Sequence, residues 1–282
     1  MSIEGLKYTG IGDKNRSYFD KMLYDDKPAE AGDVLRVGLI MDGAAAGAAS
    51  VTFEEETESV LLGSFFIAPP FRREGLGREL LSRMEDEVAL YASGIEAEFT
   101  SKSVGMAEFF TQMGYAVSEG YPIYSMKVSD FLGNRRMITF TMKTKSSHDF
   151  TPFSGMTSEE RYSCYDRLFD EGVFITEDNT DGLLLEYSGI IKGEDGEDIC
   201  MICRESEDTI ILSQLIRFGE GFSTEFTEAL LTFYSAIERT EGRYENIAIV
   251  MANPKVVGVL PTLLGDKFPH EVTQSYRAVK AL

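Results

Sequence analysis

The chain has 282 residues, 43% hydrophobic and 26% charged, the composition of a globular protein with room for one large domain or two ordinary ones. Its formal net charge of -20 repels nucleic acid and anionic membranes at long range and excludes both as expected partners. There is no apolar run long enough to cross a bilayer, and Met1-Ser2-Ile3-Glu4-Gly5 has neither a basic start nor an apolar segment, so a cytoplasmic location is expected.

In chain order, residues 13–24 read as a helix with Tyr18, Met22 and Leu23 on one side. Val34–Met41 and Ala44–Phe53 read as strands turned at Asp42-Gly43, a strong hairpin signal. Ser59–Ile67 is a nearly all-apolar strand suited to a central place in a sheet, and Pro69-Pro70 stops it. A helix follows to about Ala92, with Leu76, Leu80, Leu81, Met84, Val88 and Tyr91 on one face and Gly94 closing it. Residues 95–100 read as a strand, 103–113 as a helix closed by Gly114, and 116–128 as the last strand or strand pair of this half.

The order of elements then restarts. Residues 136–143 read as a strand, and Thr157-Ser158-Glu159-Glu160 opens a helix through Phe169. Residues 183–191 and 199–204 read as a hairpin over the acidic turn Gly193-Glu194-Asp195-Gly196, and 209–218 as another mostly apolar strand. The helix 224–239 places Phe226, Leu230, Leu231 and Tyr234 as Leu76, Leu80, Leu81 and Met84 are placed, at a shift of ~150 residues. Residues 246–251 and 256–264 repeat the strand-and-helix pair, ending at Gly265. Two domains of one fold are expected, 1–132 and 133–282, joined near residues 131–135.

Cys200-Met201-Ile202-Cys203 has CxxC spacing, but there is no second pair to complete a zinc site, and on a strand the two thiols point to opposite faces. With Cys164 they read as core cysteines, and His148 and His270 lack metal-like spacing, so no metal is expected.

Arg72, Arg73, Arg78 and Arg83 cluster against the acidic background, either as a local anion site or as a helix face paired with Glu79, Glu85 and Glu87. The context favours the anion site. A strand ends at Pro69-Pro70, an arginine pair and two glycines follow, and a long helix begins. Glycines at 75 and 77 let the backbone approach a ligand. The first helical N–H groups have no intrahelical partner, and the helix dipole adds positive charge there. A P-loop needs Lys-Ser/Thr after its last glycine, where Arg78-Glu79 stands; a dinucleotide fingerprint needs a third Gly or Ala, where Leu80 stands.

Arg72-Arg73-Glu74-Gly75-Leu76-Gly77 instead resembles the pyrophosphate motif of the GNAT superfamily of acyl-CoA-dependent N-acyltransferases, Gln/Arg-x-x-Gly-x-Gly/Ala. The preceding Phe66-Ile67-Ala68-Pro69-Pro70-Phe71 and the closing Gly114-Tyr115 are similar to that family too, over about residues 35–126. The resemblance implies an α/β (α+β) fold of two tandem domains, each a mixed, largely antiparallel sheet flanked by helices. It implies that Glu74, Gly75, Leu76, Gly77 and Arg78 wrap the pyrophosphate of acetyl-CoA or another acyl-CoA, with Arg72 and Arg73 adding charge. It also implies that Phe65, Phe66 and Ile67 border the pantetheine arm on a splayed strand, Phe65 and Ile67 pairing with it through their backbones. An amine, on a small molecule or a peptide, would attack the acyl carbonyl directly in a ternary complex.

Two positions depart from the family. Many members place a proton-donating tyrosine where Phe110 stands and an asparagine where Ser103 stands, and the resemblance implies that both positions border the bound cofactor. Glu96 and Glu98 share a strand face and either serve a cationic acceptor, as ligand or proton relay, or form a solvated strand end. The missing tyrosine supports an alternative, a non-catalytic acyl-CoA-binding or sensing protein. In the second half the shift of ~150 sets Phe222, Glu225 and Thr227 opposite Arg72, Gly75 and Gly77, and Gly219-Glu220-Gly221 is a partial substitute, so a degenerate domain without the cofactor loop is expected. The second domain would complete the acceptor cleft or form a dimer surface, the chain being a monomer or homodimer.

Overall fold

A computed structural model describes residues 5–23, 34–53, 58–143, 150–171, 173, 175, 182–192, 198–218, 225–240, 242–252, 258–265 and 267–282. Tyr24, His148, the turn 193–196, residues 219–224 with Phe222 and Thr224, and residues 256–257 lie outside these. In chain order the elements are β1 (Leu6–Gly10), β2 (Val34–Met41), β3 (Ala44–Phe53), β4 (Ser59–Ile67), α1 (Leu76–Val88), β5 (Gly94–Thr100), α2 (Met106–Gln112), β6 (Ala116–Lys127), α3 (Val128–Leu132) and α4 (Arg135–Lys143). There follow β7 (Phe150–Pro152), α5 (Ser158–Asp170), β8 (Gly189–Ile191), β9 (Ile199–Ser206), β10 (Thr209–Arg217), α6 (Glu225–Glu238), β11 (Asn246–Val250), α7 (Val259–Leu264) and β12 (Glu271–Ala281).

Residues 1–119 with 275–282 form one compact unit, and residues 120–274 a second. In the first, β1 to β4 pair antiparallel in sequence, β4 pairs parallel with β5, and residues 275–281 of β12 pair antiparallel with β5. The second repeats this order: β7 to β10 antiparallel, β10 parallel with β11, and residues 123–127 of β6 antiparallel with β11. Each half is therefore a mixed, largely antiparallel sheet with helices packed on it. The division differs from a cut after residue 132, because the last strand of the chain completes the first sheet and residues 120–132 belong to the second unit.

Local chemistry accounts for the elements. Asp42 and Gly43 both have positive φ, 48° and 84°, the geometry of a type I′ turn that matches strand twist. Leu76, Leu80, Leu81, Met84 and Val88 of α1 are buried together with Val60, Leu62, Ile95 and Ala97; each such side chain stabilises by roughly 1.5–3 kcal/mol relative to exposure. In the second unit Leu230, Leu231, Phe233, Tyr234 and Ile237 of α6 pack with Ile210, Leu212, Ile247 and Ile249. Cys200 and Cys203 are both buried but join different clusters, as thiols on opposite strand faces must.

Both units kink the same strand. The β3–β4 register skips Gly63 between Ser64 and Leu62, and the β9–β10 register skips Ser213 between Leu212 and Gln214. These are β-bulges at equivalent places, and the parallel pairing ends there in each unit, at Leu62↔Ala97 and at Leu212↔Ile249.

Several elements differ from the sequence expectation, and of the strand expected over residues 183–191 only Gly189–Ile191 forms, the preceding residues making turns and an isolated bridge at Leu183. The described residues 13–23 hold only a 3-10 turn, Arg16–Tyr18, because the Asn15 side chain accepts from Gly12 N at 2.9 Å and donates to Gly10 O at 2.9 Å, competing with a helix. Residues 135–143 are helical, not a strand. Asn134 Oδ1 caps the backbone N–H groups of Arg136 and Met137, and the Thr139 and Thr141 hydroxyls donate to the carbonyls four residues back. The helix after the glycine loop ends at Val88, and Gly94 instead begins β5.

Candidate functional site

Strand β4 leaves β5 at Leu62, so from the Gly63 bulge to Ile67 no ladder pair joins the two strands. The chain then turns through a 3-10 segment, Pro69–Phe71, into the glycine loop. Arg73 and Gly75 both adopt positive φ, 69° and 86°. Gly75 is the N-cap of α1, and the first helical bonds are Arg78 N to Gly75 O at 3.0 Å and Glu79 N to Gly75 O at 3.2 Å. The amides of Leu76 and Gly77 precede them and are available to an anion.

Around this loop lies a groove of about 910 Å³, the size of an ordinary ligand site. One wall is Phe65, Phe66, Ile67 and the loop residues Phe71, Arg72, Arg73, Gly75, Gly77 and Arg78; the other is the β5–α2 turn and α2, with Lys102, Ser103, Val104, Gly105, Met106 and Phe109. The charged residues among the described lining are Arg72, Arg73, Arg78 and Lys102, all cationic, in a chain with 47 acidic and 27 basic residues. Nothing lies within 4 Å of where a Cβ on Gly75 would stand, whereas one on Gly77 would meet the Phe109 ring at 3.5 Å and the Phe65 ring at 3.8 Å. The groove floor at Gly77 is thus walled by two aromatic rings whose centroids are 5.5 Å apart.

Two arginines are fixed by the protein. Arg72 Nε donates to Ile67 O at 2.9 Å and its guanidinium lies 5.4 Å from the Phe66 ring centre, so it secures the end of β4 and occupies one carbonyl expected to pair with a ligand. Arg78 Nη2 donates to Gln112 Oε1 at 2.6 Å, tying α1 to α2 across the groove.

The structure gathers nine expected residues on the groove: Phe65, Phe66, Ile67, Arg72, Arg73, Gly75, Gly77, Arg78 and Ser103. Glu74 is exposed beside them, and the Leu76 side chain is core, leaving only its backbone to the site. Phe110 is not on the groove. It is 1% exposed and packed on Phe99, Phe109 and Tyr115, with ring centroids 5.4, 5.5 and 5.0 Å away. Its neighbour Phe109 faces the groove instead, a distinction set by how α2 docks and not by spacing alone. Glu96 and Glu98 do not line the groove either. Arg277 Nε donates to Glu96 Oε2 at 2.9 Å, and Glu98 is exposed.

Tyr115 is 4% exposed and does not line the groove. Burial and the Glu85 carboxylate push its phenol well above the ordinary tyrosine value, and Glu85 Oε2 accepts from Lys280 Nζ at 2.7 Å. Lys102 and Phe109 went unread in the sequence. A lysine directly before Ser103 was the available signal for the first.

Residues 10–129 match the family model of the acetyltransferase (GNAT) domain. A tandem GNAT protein from the clavulanic acid biosynthesis pathway is similar over 98% of both chains, with TM-score 0.64 and 11% identity. A GCN5-related N-acetyltransferase from Sphaerobacter thermophilus is similar over 100% of this chain and 97% of that one, with TM-score 0.63 and 11% identity. A probable N-acyltransferase from Enterococcus faecalis V583 is similar over 98% and 72%, with TM-score 0.54 and 12% identity. At these identities the likeness is one of fold. No curated protein sequence matches the chain. Among the described residues no helix is long and apolar enough to cross a membrane, and no group of three or more His, Cys, Asp or Glu could hold a metal ion.

Proposed function

We propose that the first unit binds acetyl-CoA or another acyl-CoA in the groove at the glycine loop and transfers its acyl group to an amine. The observation that carries this reading is the pairing of a helix start, open at Gly75, with four cations and no described carboxylate on one groove of a strongly acidic chain. The Leu76 and Gly77 amides meet the pyrophosphate. The unpaired edge of β4 beyond Gly63 receives the pantetheine arm, much as a sheet edge receives a strand. The thioester then lies near the bulge. The amine nitrogen attacks its carbonyl carbon, a tetrahedral intermediate forms, and the C–S bond breaks to leave coenzyme A as thiolate. The nitrogen gives its surplus proton to water, and because Phe110 has no hydroxyl and Tyr115 lies off the groove, water protonates the departed thiolate. The second unit does not hold a second acyl-CoA, since Glu225 and Thr227 stand where the first unit has Gly75 and Gly77.

The buried Phe110 and the Glu96 carboxylate paired with Arg277 favour a second reading, in which the groove binds acyl-CoA without turnover. Release of free thiol from acetyl-CoA, followed with a panel of small-molecule and peptide amines, separates the two. Amine-dependent release supports transfer; tight binding with thiol release no faster than in buffer supports the non-catalytic reading.

A further inference from the structure

The groove carries more positive charge than a pyrophosphate needs. A pyrophosphate diester brings two negative charges, while the described lining presents four cations together with the positive end of α1. The cations are also divided between the walls. Arg72, Arg73 and Arg78 stand on the loop side with the free helical amides, and Lys102 stands on the opposite wall. Its turn is closed by Ser103 N to Thr100 O at 2.9 Å and Val104 N to Lys102 O at 3.0 Å, so the lysine rises from an ordered rim. Resting on the acyl-CoA reading above, we infer that Lys102 recognises the second phosphate of the cofactor, the 3′-phosphate on its ribose, and so makes the groove selective for coenzyme A over its 3′-dephospho form.

The chemistry is that of charge matching. A phosphomonoester carries close to two negative charges at neutral pH and offers three acceptor oxygens. An ammonium on a long stem serves it as a movable point charge, where a planar guanidinium would demand a fixed geometry. A hydrogen bond to a charged group is worth about tenfold or more in affinity, and at an exposed rim the lower end of that range applies. The selectivity also weakens as salt screens the pair.

The test is calorimetric titration of the full chain with coenzyme A and with 3′-dephospho-coenzyme A, in the parent protein, in Lys102→Met and in Lys102→Arg. The parent is expected to bind coenzyme A about tenfold more tightly than the dephospho form. Lys102→Met is expected to bring coenzyme A down to the dephospho value while leaving the dephospho affinity unchanged, and Lys102→Arg to retain most of the preference. Equal affinities in the parent overturn the inference. So does a Lys102→Met variant that keeps the preference, or one that weakens both ligands alike, since the lysine would then face no phosphate or the shared pyrophosphate. Binding of neither nucleotide overturns the acyl-CoA reading itself, an outcome distinct from binding of both without preference.

Discussion

Replacing Gly75 by Asp, with Gly75→Asn as its partner, isolates the electrostatic part of the proposed phosphate cradle. Gly75 has φ 86°, and nothing lies within 4 Å of a Cβ placed on it, so the cost to folding is backbone strain alone. Asn and Asp are the side chains that tolerate this region best, and both are expected to lose about 1 kcal/mol of stability or less, equally. They differ only in charge. A carboxylate roughly 5 Å from a doubly charged pyrophosphate, taken at the dielectric of water because the position is exposed, is repelled by about 1.7 kcal/mol, close to 20-fold in affinity. Titration calorimetry with coenzyme A should show the Asp variant weaker than the Asn variant by at least that factor at low salt. The gap should narrow as ionic strength rises. Equal affinities of the two variants, with both folded, would refute the placement of pyrophosphate at this loop.

Three further predictions follow from the packing. Phe110→Tyr puts a hydroxyl into the aromatic cluster of the core and should lower thermal stability by about 1–3 kcal/mol with no gain in acyl transfer; a faster enzyme would show that this ring reaches the thioester. Lys280→Met strands Glu85, which is 13% exposed, and should cost about 2–3 kcal/mol in denaturant unfolding, with much of the loss recovered in the Lys280→Met/Glu85→Gln double variant. Cys200 and Cys203 are fully buried and burial pushes both thiols up, so a neutral thiol reagent should label neither in the native protein even as pH rises to about 9, and all three cysteines after unfolding; rapid native labelling of more than one would contradict the core assignment.

What could be read in the sequence was what local chemistry decides. The Asp42-Gly43 turn, the apolar face of α1 and the Gly75–Gly77 loop each follow from a few adjacent residues, and the structure places them accordingly. The repeat was legible because the same faces recur, and the shared bulges at Gly63 and Ser213 extend it to the strand that matters for the site. Non-local effects were harder. The β-branched and aromatic residues of 135–143 suggest a strand until Asn134 caps the segment as a helix. Nothing within residues 271–281 announces that this strand completes the first sheet; the choice is made by Ala278 in that core and by Lys280 meeting Glu85. Position 110 was assigned to the site by spacing, yet adjacent helical residues differ by about 100° in direction, and docking turned Phe109 to the groove and Phe110 inward. Glu96 meets Arg277, a partner 181 positions away in sequence.

The central claim is that one acyl-CoA binds, at the glycine loop of the first unit. The measurement that tests it most directly is calorimetric titration of the full chain with acetyl-CoA, read for stoichiometry, and repeated on the Gly75→Asp variant. One site per chain, weakened in the variant, is the predicted result. No heat at millimolar ligand, or two equivalent sites per chain that Gly75→Asp leaves untouched, would contradict it.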